Sequence, residues 1–565
     1  MIKQCRSSGR DKCYTVRDAV FDFFATIGVD TIFGNPGSTE LPMFRNFPDH
    51  FRYILGLQEA TVVGMADGFA QATGKASLVN LHSAAGVGNA MGNIFTAYKN
   101  QTPMIITAGQ QVRSILPFEP FLASVRPTQL AEPYVKWAIE PARAEDVPLA
   151  IQRAFNIAMT EPQGPVLVSV PVDDWDRQTK PLAERRMFYS QRPSADAIIA
   201  LSCALEESKC PAFVVGGGVD RARASDLVVK LAEHHQAQIY VAPMSGRGSF
   251  PEDHYLFNGF LPARREKIVE TLGHHDLIIV LGAGAFLYHV EGFGPFIPEQ
   301  AELFQIVDSP LTASWTPTGT SIVSNVRLAL EDLLAVSKPV KKEKNQTKQL
   351  PRTGGAEKPQ LAEKPRLSSN PRLSSNSLSS STPLTTAYVL QTLHGLENED
   401  WLIVEEAPSA RSLIQKFLPI SKPGQFLTME SGGLGYGMPA AVGTALALPD
   451  KKIIAIIGDG SALYSVQSLW TAAVQKLSIT WIVLRNGSYA ALEEFAPEFG
   501  FKKHEKVVGT TLSGIGFAGL AKGFGINAKR IVDCTELKRE LQDATASSSS
   551  TLFEVVVSDI KNEPV

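Results

Sequence analysis

Lys452-Ile-Ile-Ala-Ile-Ile457 runs directly into Gly458-Asp459-Gly460-Ser461, and 27 residues beyond Asp459 a second apolar run, Ile479–Leu484, ends in Arg485-Asn486-Gly487-Ser488. Each run has strand length and stops at a turn, and Leu463, Val466, Trp470, Ala473 and Val474 then recur at helical spacing, so the order is strand, turn, helix. The same alternation extends outward in both directions. Apolar runs near Thr31–Phe33, Arg52–Leu55, Ala76–Leu81 and Met104–Ala108 form one block, and Ala212–Val215, Gln238–Val241, Leu277–Leu281 and Phe304–Val307 form a second. Trp401–Val404 joins the two opening runs in a third. The expectation is an α/β protein of three parallel-sheet domains, at 14–182, 190–338 and 383–560. In such sheets ligands sit beyond the carboxyl ends of the strands, so chemistry is sought just after each apolar run.

The 565 residues are ample for several cores, and 54 basic against 57 acidic side chains exclude a global electrostatic footprint for nucleic acid or membrane. No apolar run approaches the roughly 18 residues of a membrane span, and the residues from Lys3 to Lys12 lack the apolar stretch of a signal peptide. A cytoplasmic protein is expected. The five cysteines are scattered without CxxC spacing, which predicts reduced, structurally incidental thiols. Between the second and third blocks, 341–382 contains no aromatic residue and repeats Ala-Glu-Lys-Pro at 356–359 and 362–365, then Pro-Arg-Leu-Ser-Ser-Asn at 365–370 and 371–376. It is read as a disordered basic linker, because it cannot bury enough apolar surface to offset its chain entropy. Setting it aside leaves 45 basic against 54 acidic side chains, a distinctly acidic remainder.

Glycines 458 and 460 at a strand-to-helix turn let backbone N–H groups approach an anion. A capping Asp in a tight turn explains that turn equally well, until Asn486 is considered. If the two strands are neighbours, Asp459 and Asn486 supply a carboxylate and an amide oxygen, donors that suit Mg²⁺ held against a diphosphate. In the first block Glu59 opens a helix after a strand, where Ala60 and the small residues following it are expected to bury the carboxyl and raise its pKa. Helix-dipole complementarity is the plainer reading of a lone Glu there. His82 follows the strand ending at Leu81, and Ser38 follows Asn35-Pro36-Gly37. The three converge on one sheet rim. A Ser–His–acid hydrolase lacks its Gly-x-Ser-x-Gly elbow around Ser38 and is set aside.

The Gly-Asp-Gly turn, the interval, and the Asn resemble the motif of thiamine diphosphate (ThDP)-dependent 2-oxo acid decarboxylases, with Arg485-Asn486 replacing the usual Asn pair. Asn35-Pro-Gly-Ser-Thr-Glu-Leu-Pro42, Phe51-Arg-Tyr-Ile-Leu55, Asn80-Leu-His-Ser-Ala-Ala-Gly86, Thr107-Ala-Gly-Gln-Gln111, Asp173-Asp-Trp175 and Gly432-Gly-Leu-Gly435 resemble the branch acting on benzoylformate. The resemblance implies pyrimidine-binding, central and diphosphate-binding domains, with ThDP and Mg²⁺ as cofactors. It implies that Glu59 meets the aminopyrimidine N1′, Leu434 wedges the cofactor into a bent form, and the Gly432 carbonyl accepts from its 4′-amino group. Asp459, Asn486 and the Ser488 carbonyl would hold Mg²⁺, and Ser409 and Ser461 would reach the diphosphate along with Gly458 and Gly460. Catalytic roles fall to Glu59, His82, His289 and Ser38, the last gripping the substrate carboxylate. Leu122, Pro408, Leu492 and Phe495 would line the substrate pocket. Pro408, Phe121 and Glu430 depart from the pattern. The implied reaction is decarboxylation of an aromatic 2-oxo acid to the aldehyde, in a homotetramer with sites between subunits. Alternatives are a carboligase of the acetolactate synthase or benzaldehyde lyase kind, and a non-catalytic scaffold of the same fold. Gly216-Gly-Gly218 and Gly282-Ala-Gly284 do not complete a dinucleotide fingerprint, so no NAD or FAD is expected.

Overall fold

Three six-stranded sheets, every pairing within them parallel, organise the chain. The computed structural model describes residues 14–339, 384–396, 400–502 and 505–558. The segment read as a linker, 341–382, lies outside the described residues. Among the described residues no helix is long and apolar enough to cross a membrane.

The first sheet contains β1 (Thr31–Asn35), β2 (Arg52–Leu55), β3 (Ser77–Leu81), β4 (Met104–Gln110), β5 (Ala138–Ile139) and β6 (Pro165–Pro171), in the order β2-β1-β3-β4-β6-β5. The second contains β7 (Pro211–Val215), β8 (Gln238–Val241), β9 (Phe257–Phe260), β10 (Leu277–Leu281), β11 (Glu302–Val307) and β12 (Thr320–Val323), in the order β12-β11-β10-β7-β8-β9. The third contains β13 (Trp401–Glu406), β14 (Phe426–Thr428), β15 (Lys452–Gly458), β16 (Ile479–Arg485), β17 (Asn527–Ile531) and β18 (Thr551–Val556), in the order β14-β13-β15-β16-β18-β17. Central strands such as β4, β6, β7 and β10 are buried along their whole length, which is why they read as unbroken apolar runs rather than alternating ones.

By compactness the described residues fall into two units. One holds the residues through Ala70 together with Lys75–Phe188 and contains the first sheet; the other holds Gln71–Gly74 and the chain from Tyr189 onward. Within the second unit the two sheets share backbone bonds. Arg247 and Leu427 form an antiparallel bridge, Thr428 N–H donates to the Gly246 carbonyl at 2.8 Å, and Glu252 N–H donates to the Ile420 carbonyl at 3.0 Å.

In each sheet the chain leaves the first strand toward one neighbour and later returns on the other side. This puts a topological switch point between β1 and β3, β7 and β10, and β13 and β15, where open sheets of this kind form a crevice. The middle one is filled by backbone. Gly218 N–H donates to the Gly282 carbonyl at 2.9 Å, and a Cβ on Gly218 would stand 2.7 Å from Gly282 Cα. The paired glycines therefore serve close packing of two strand ends. Gly218→Ala is expected to lower stability by about 1–3 kcal/mol, since no flexible side chain can yield; calorimetric unfolding of the variant checks this.

Candidate active site

The three strands that carry the first group of candidates are immediate neighbours, with Gly34 opposite Leu55 and Asn35 opposite Leu81. The turn holding Ser38, the helix beginning at Glu59 and the residue His82 thus leave one edge of the sheet together. His82 is gripped from the β1 side. A Cβ on Gly37 would lie 2.1 Å from His82 Nδ1, so only glycine allows that approach.

His82 does not stand alone. Glu40, only 2% exposed, places Oε2 2.8 Å from His82 Nδ1, and the same oxygen accepts from Gly37 N–H at 2.8 Å. Its Oε1 accepts from Gly109 N–H at 3.0 Å and from the Thr39 hydroxyl at 2.7 Å. Four donors thus surround one buried carboxylate, which fixes the imidazole's orientation and favours a proton on Nδ1. Glu40 is the functional residue that sequence reading passed over. It lies inside the quoted Asn35–Pro42 motif, but its partner is 42 residues away.

One candidate in this unit departs from expectation. Glu59 is half-buried, not enclosed, and accepts from Asn89 Nδ2 at 3.1 Å. The expected burial fails because Glu59 is the first residue of helix Glu59–Thr73, and helical side chains point back toward the N-terminus, away from the packed turns. Ser38 is exposed. Leu122, half-buried, has φ +63°, and Ser83, next to His82, has φ +49° with a buried hydroxyl that finds no partner among the described residues. Both are left-handed at non-glycine positions, a strain that clusters at functional sites.

In the second unit β15 and β16 are paired with Gly458 opposite Leu484, so the turns at Asp459 and Asn486 meet. Asp459 Oδ2 accepts from Gly487 N–H at 2.7 Å, Oδ1 accepts from Gly460 N–H at 2.8 Å, and Asn486 Oδ1 accepts from Ser488 N–H at 3.0 Å. Burial pushes the Asp459 pKa up, opposed by those backbone donors and by Arg485. The Ser488 hydroxyl is buried and finds no partner among the described residues. A carboxylate, an amide oxygen and nearby hydroxyl and carbonyl oxygens, with no sulfur or imidazole, make a donor set for a hard cation, so these residues fit Mg²⁺. The Gly458 position has room, since even a Cβ there would meet nothing closer than 3.7 Å, whereas a Cβ on Gly460 would strike the Tyr489 ring at 2.3 Å. Ser461 is buried, Ser409 half-buried and Pro408 exposed at the neighbouring end of β13. Arg485, the departure from the expected Asn pair, is accounted for by buried Glu554, 3.0 Å away on β18.

The loop with Gly432 and Leu434 runs between β14 and helix Gly437–Ala447. Gly432 has φ +73°, the left-handed region that favours glycine, and Leu434 is half-buried. Just before it Glu430 occupies space left by two glycines of the second sheet's loops. It accepts from Gly246 N–H at 3.2 Å and lies 3.6 Å from Arg221. His289 is exposed, and its ring lies 4.4 Å from that of Phe495, tilted by 31° to it. Leu492 is exposed one turn earlier on helix Ala490–Phe495. The structure therefore brings His289, expected as a catalytic residue, against Phe495, expected in the substrate pocket.

One cluster was not anticipated. Cys210, His274 and His275 place their ligand atoms within 4.8 Å of one another. Both nitrogens of His275 are engaged, Nδ1 with the Cys210 carbonyl at 2.9 Å and Nε2 with the Tyr240 hydroxyl at 3.2 Å, so the group acts as a structural network.

The models of the thiamine pyrophosphate (ThDP) enzymes match three stretches of the chain. They are the N-terminal TPP-binding domain at 14–124, the central domain at 198–333 and the C-terminal TPP-binding domain at 409–555. A benzoylformate decarboxylase of Pseudomonas aeruginosa is 39% identical over 97% of this chain and 99% of its own. The crystal structure of benzoylformate decarboxylase from Polynucleobacter necessarius is similar with a TM-score of 0.89 and 35% identity, covering 98% of this chain and all of that one. A ThDP-dependent 4-hydroxybenzoylformate decarboxylase of Rhodococcus jostii is similar with a TM-score of 0.87 and 36% identity, over 97% and 100% of the two chains. The chain belongs to the family of ThDP-dependent 2-oxo acid decarboxylases.

Glu40→Ala is expected to cost more than about 3 kcal/mol of stability, because it leaves buried amides and His82 unpaired. Thermal unfolding checks this, with Thr39→Val, which removes one donor only, expected to cost far less.

Proposed function

We propose that this protein is a ThDP- and Mg²⁺-dependent carboxy-lyase that converts an aromatic 2-oxo acid of the benzoylformate kind to the aldehyde and CO₂. The whole-length likeness to benzoylformate decarboxylases carries this reading. The oxygen donors gathered at Asp459 and Asn486 support it chemically. Bound ThDP supplies the carbon nucleophile and electron sink on which loss of CO₂ depends.

The chain's own residues take the remaining tasks. Asp459, Asn486 and the Ser488 carbonyl hold Mg²⁺, while Gly458, Gly460, Ser461 and Ser409 receive the diphosphate. Glu59 holds a proton at the aminopyrimidine N1′, with Gly432 and Leu434 setting that ring's place. Ser38 binds the substrate carboxylate, and Leu122, Pro408, Leu492 and Phe495 keep water from the aryl group, which favours loss of a charged carboxylate. His82, backed by Glu40, and His289, against Phe495, donate to the keto oxygen and deliver a proton to the former keto carbon. The balance is one carbon–carbon bond broken, its electron pair ending in a new C–H bond, one proton consumed and CO₂ released. The domain bounds 14–182, 190–338 and 383–560, the cytoplasmic location and the homotetramer belong to the same proposal.

Benzoylformate with added ThDP and Mg²⁺ is expected to yield benzaldehyde and CO₂, and Glu59→Gln to reduce turnover about 10²- to 10⁴-fold. A panel of aryl and branched 2-oxo acids defines the side chain accepted. With acetaldehyde added, aldehyde remains the main product; predominant acyloin would favour the carboligase reading. Chelation is expected to abolish the ThDP-dependent rise in melting temperature, and Asp459→Ala to abolish it even with excess Mg²⁺. Because a metal ligand must be ionised and burial raises the Asp459 pKa, Mg²⁺ affinity is expected to fall on acidification sooner than for an exposed aspartate. Titration of Mg²⁺ at several pH values reads this directly.

A further inference from the structure

We propose that Glu406 is a positioning residue whose buried carboxyl clamps the Gly432–Gly437 loop, so that Gly432 and Leu434 present a fixed surface to the aminopyrimidine. The inference rests on the ThDP reading given above and adds a residue to it.

Glu406 closes β13 and is 0% exposed. Its Oε1 accepts from Gly435 N–H at 2.6 Å and its Oε2 from Gly437 N–H at 2.5 Å. Gly437 must be glycine for this, since a Cβ there would stand 2.7 Å from Glu406 Cβ. The loop's own backbone is irregular, with φ +73° at Gly432 and +106° at Gly435, so no repeating hydrogen-bond pattern defines its shape. An external acceptor that ties two alternate amides on either side of Tyr436 does define it. Glu430 and the Ser431 hydroxyl, which accepts from Gly433 N–H at 2.9 Å, fix the loop's other end.

The adjacent Glu405 is equally buried, but its charge is met by Arg411 in an ion pair. Glu406 meets no such cation among the described residues, and its two oxygens face the amides of this loop. A buried carboxyl without a cation is costly. Burial pushes its pKa up, opposed by the Gly437, Gly435 and Tyr436 N–H groups, which favour the ionised form whose two oxygens both accept. An apolar residue would relieve that cost and leave the loop amides unpaired.

The test uses the full-length protein with Mg²⁺ and graded ThDP. Glu406→Gln places an amide N–H₂ against a backbone N–H, and it is expected to raise the ThDP half-saturation by about 10- to 100-fold, the usual effect of losing an outer-shell partner. Turnover at saturating ThDP is expected to fall as well. A variant that melts lower but keeps wild-type ThDP saturation and turnover would make Glu406 a fold residue only and overturn the proposal. Should the variant not fold, hydrogen exchange on the wild-type protein decides. The Gly435 and Gly437 amides are expected to exchange slowly both without and with ThDP, and fast exchange in both states overturns the clamp. Absence of ThDP saturation in the wild type would instead bring down the cofactor reading, and the assigned role with it.

Discussion

The parallel pairing of β13, β15 and β16 is the constraint on which the site depends. With Glu406 opposite Ile457 and Gly458 opposite Leu484, three turns separated by tens of residues emerge at one edge. Nothing in those turns has to find its partner independently. The Ile- and Val-rich strands, buried on both faces, hold the register, and a slip of one residue would turn each buried side chain to the opposite face. Asp459 and the Asn486–Ser488 turn meet because the core beneath them is packed.

The same topology occurs three times with different outcomes. At the middle sheet, glycine pairs bring strand ends so close that backbone fills the switch point. In the first and third sheets the corresponding edges are instead lined by buried carboxylates, Glu40 and Glu406, each accepting several backbone N–H groups. Both residues organise a neighbour that faces outward: His82 in one case, the Gly432–Leu434 loop in the other. An acceptor with two oxygens and no donor suits a turn whose amides all point inward. Such carboxyls cost stability through desolvation and return it as a fixed site geometry.

Much of this was legible in the sequence because the long apolar runs belong to fully buried strands. The eleven runs read as strands all fall on observed ones. Some edge strands escaped notice for physical reasons. The β5 strand has two residues, and β17, Asn527–Ile531, is polar and half-exposed, so neither carries an apolar signal. The β6 strand, Pro165–Pro171, is different, since Val166–Val170 is as readable as any central strand. Asp459 and Asn486 could be paired from sequence because each ends an apolar run. Glu40 could not, since its role arises from contacts with Gly109 and His82 across the sheet. Glu59 was placed correctly at a helix start but credited with more burial than a first helical residue receives.

Under the proposed function, two adjacent strand ends, at Asp459 and Asn486, assemble one oxygen-lined cation site beside the cofactor's diphosphate. The most direct test is anomalous scattering from Mn²⁺ substituted for Mg²⁺ in crystals grown with ThDP. The account predicts a single strong peak within about 2.0–2.2 Å of oxygens from Asp459 and Asn486. A peak at other ligands, with ThDP bound and this turn empty, would contradict it.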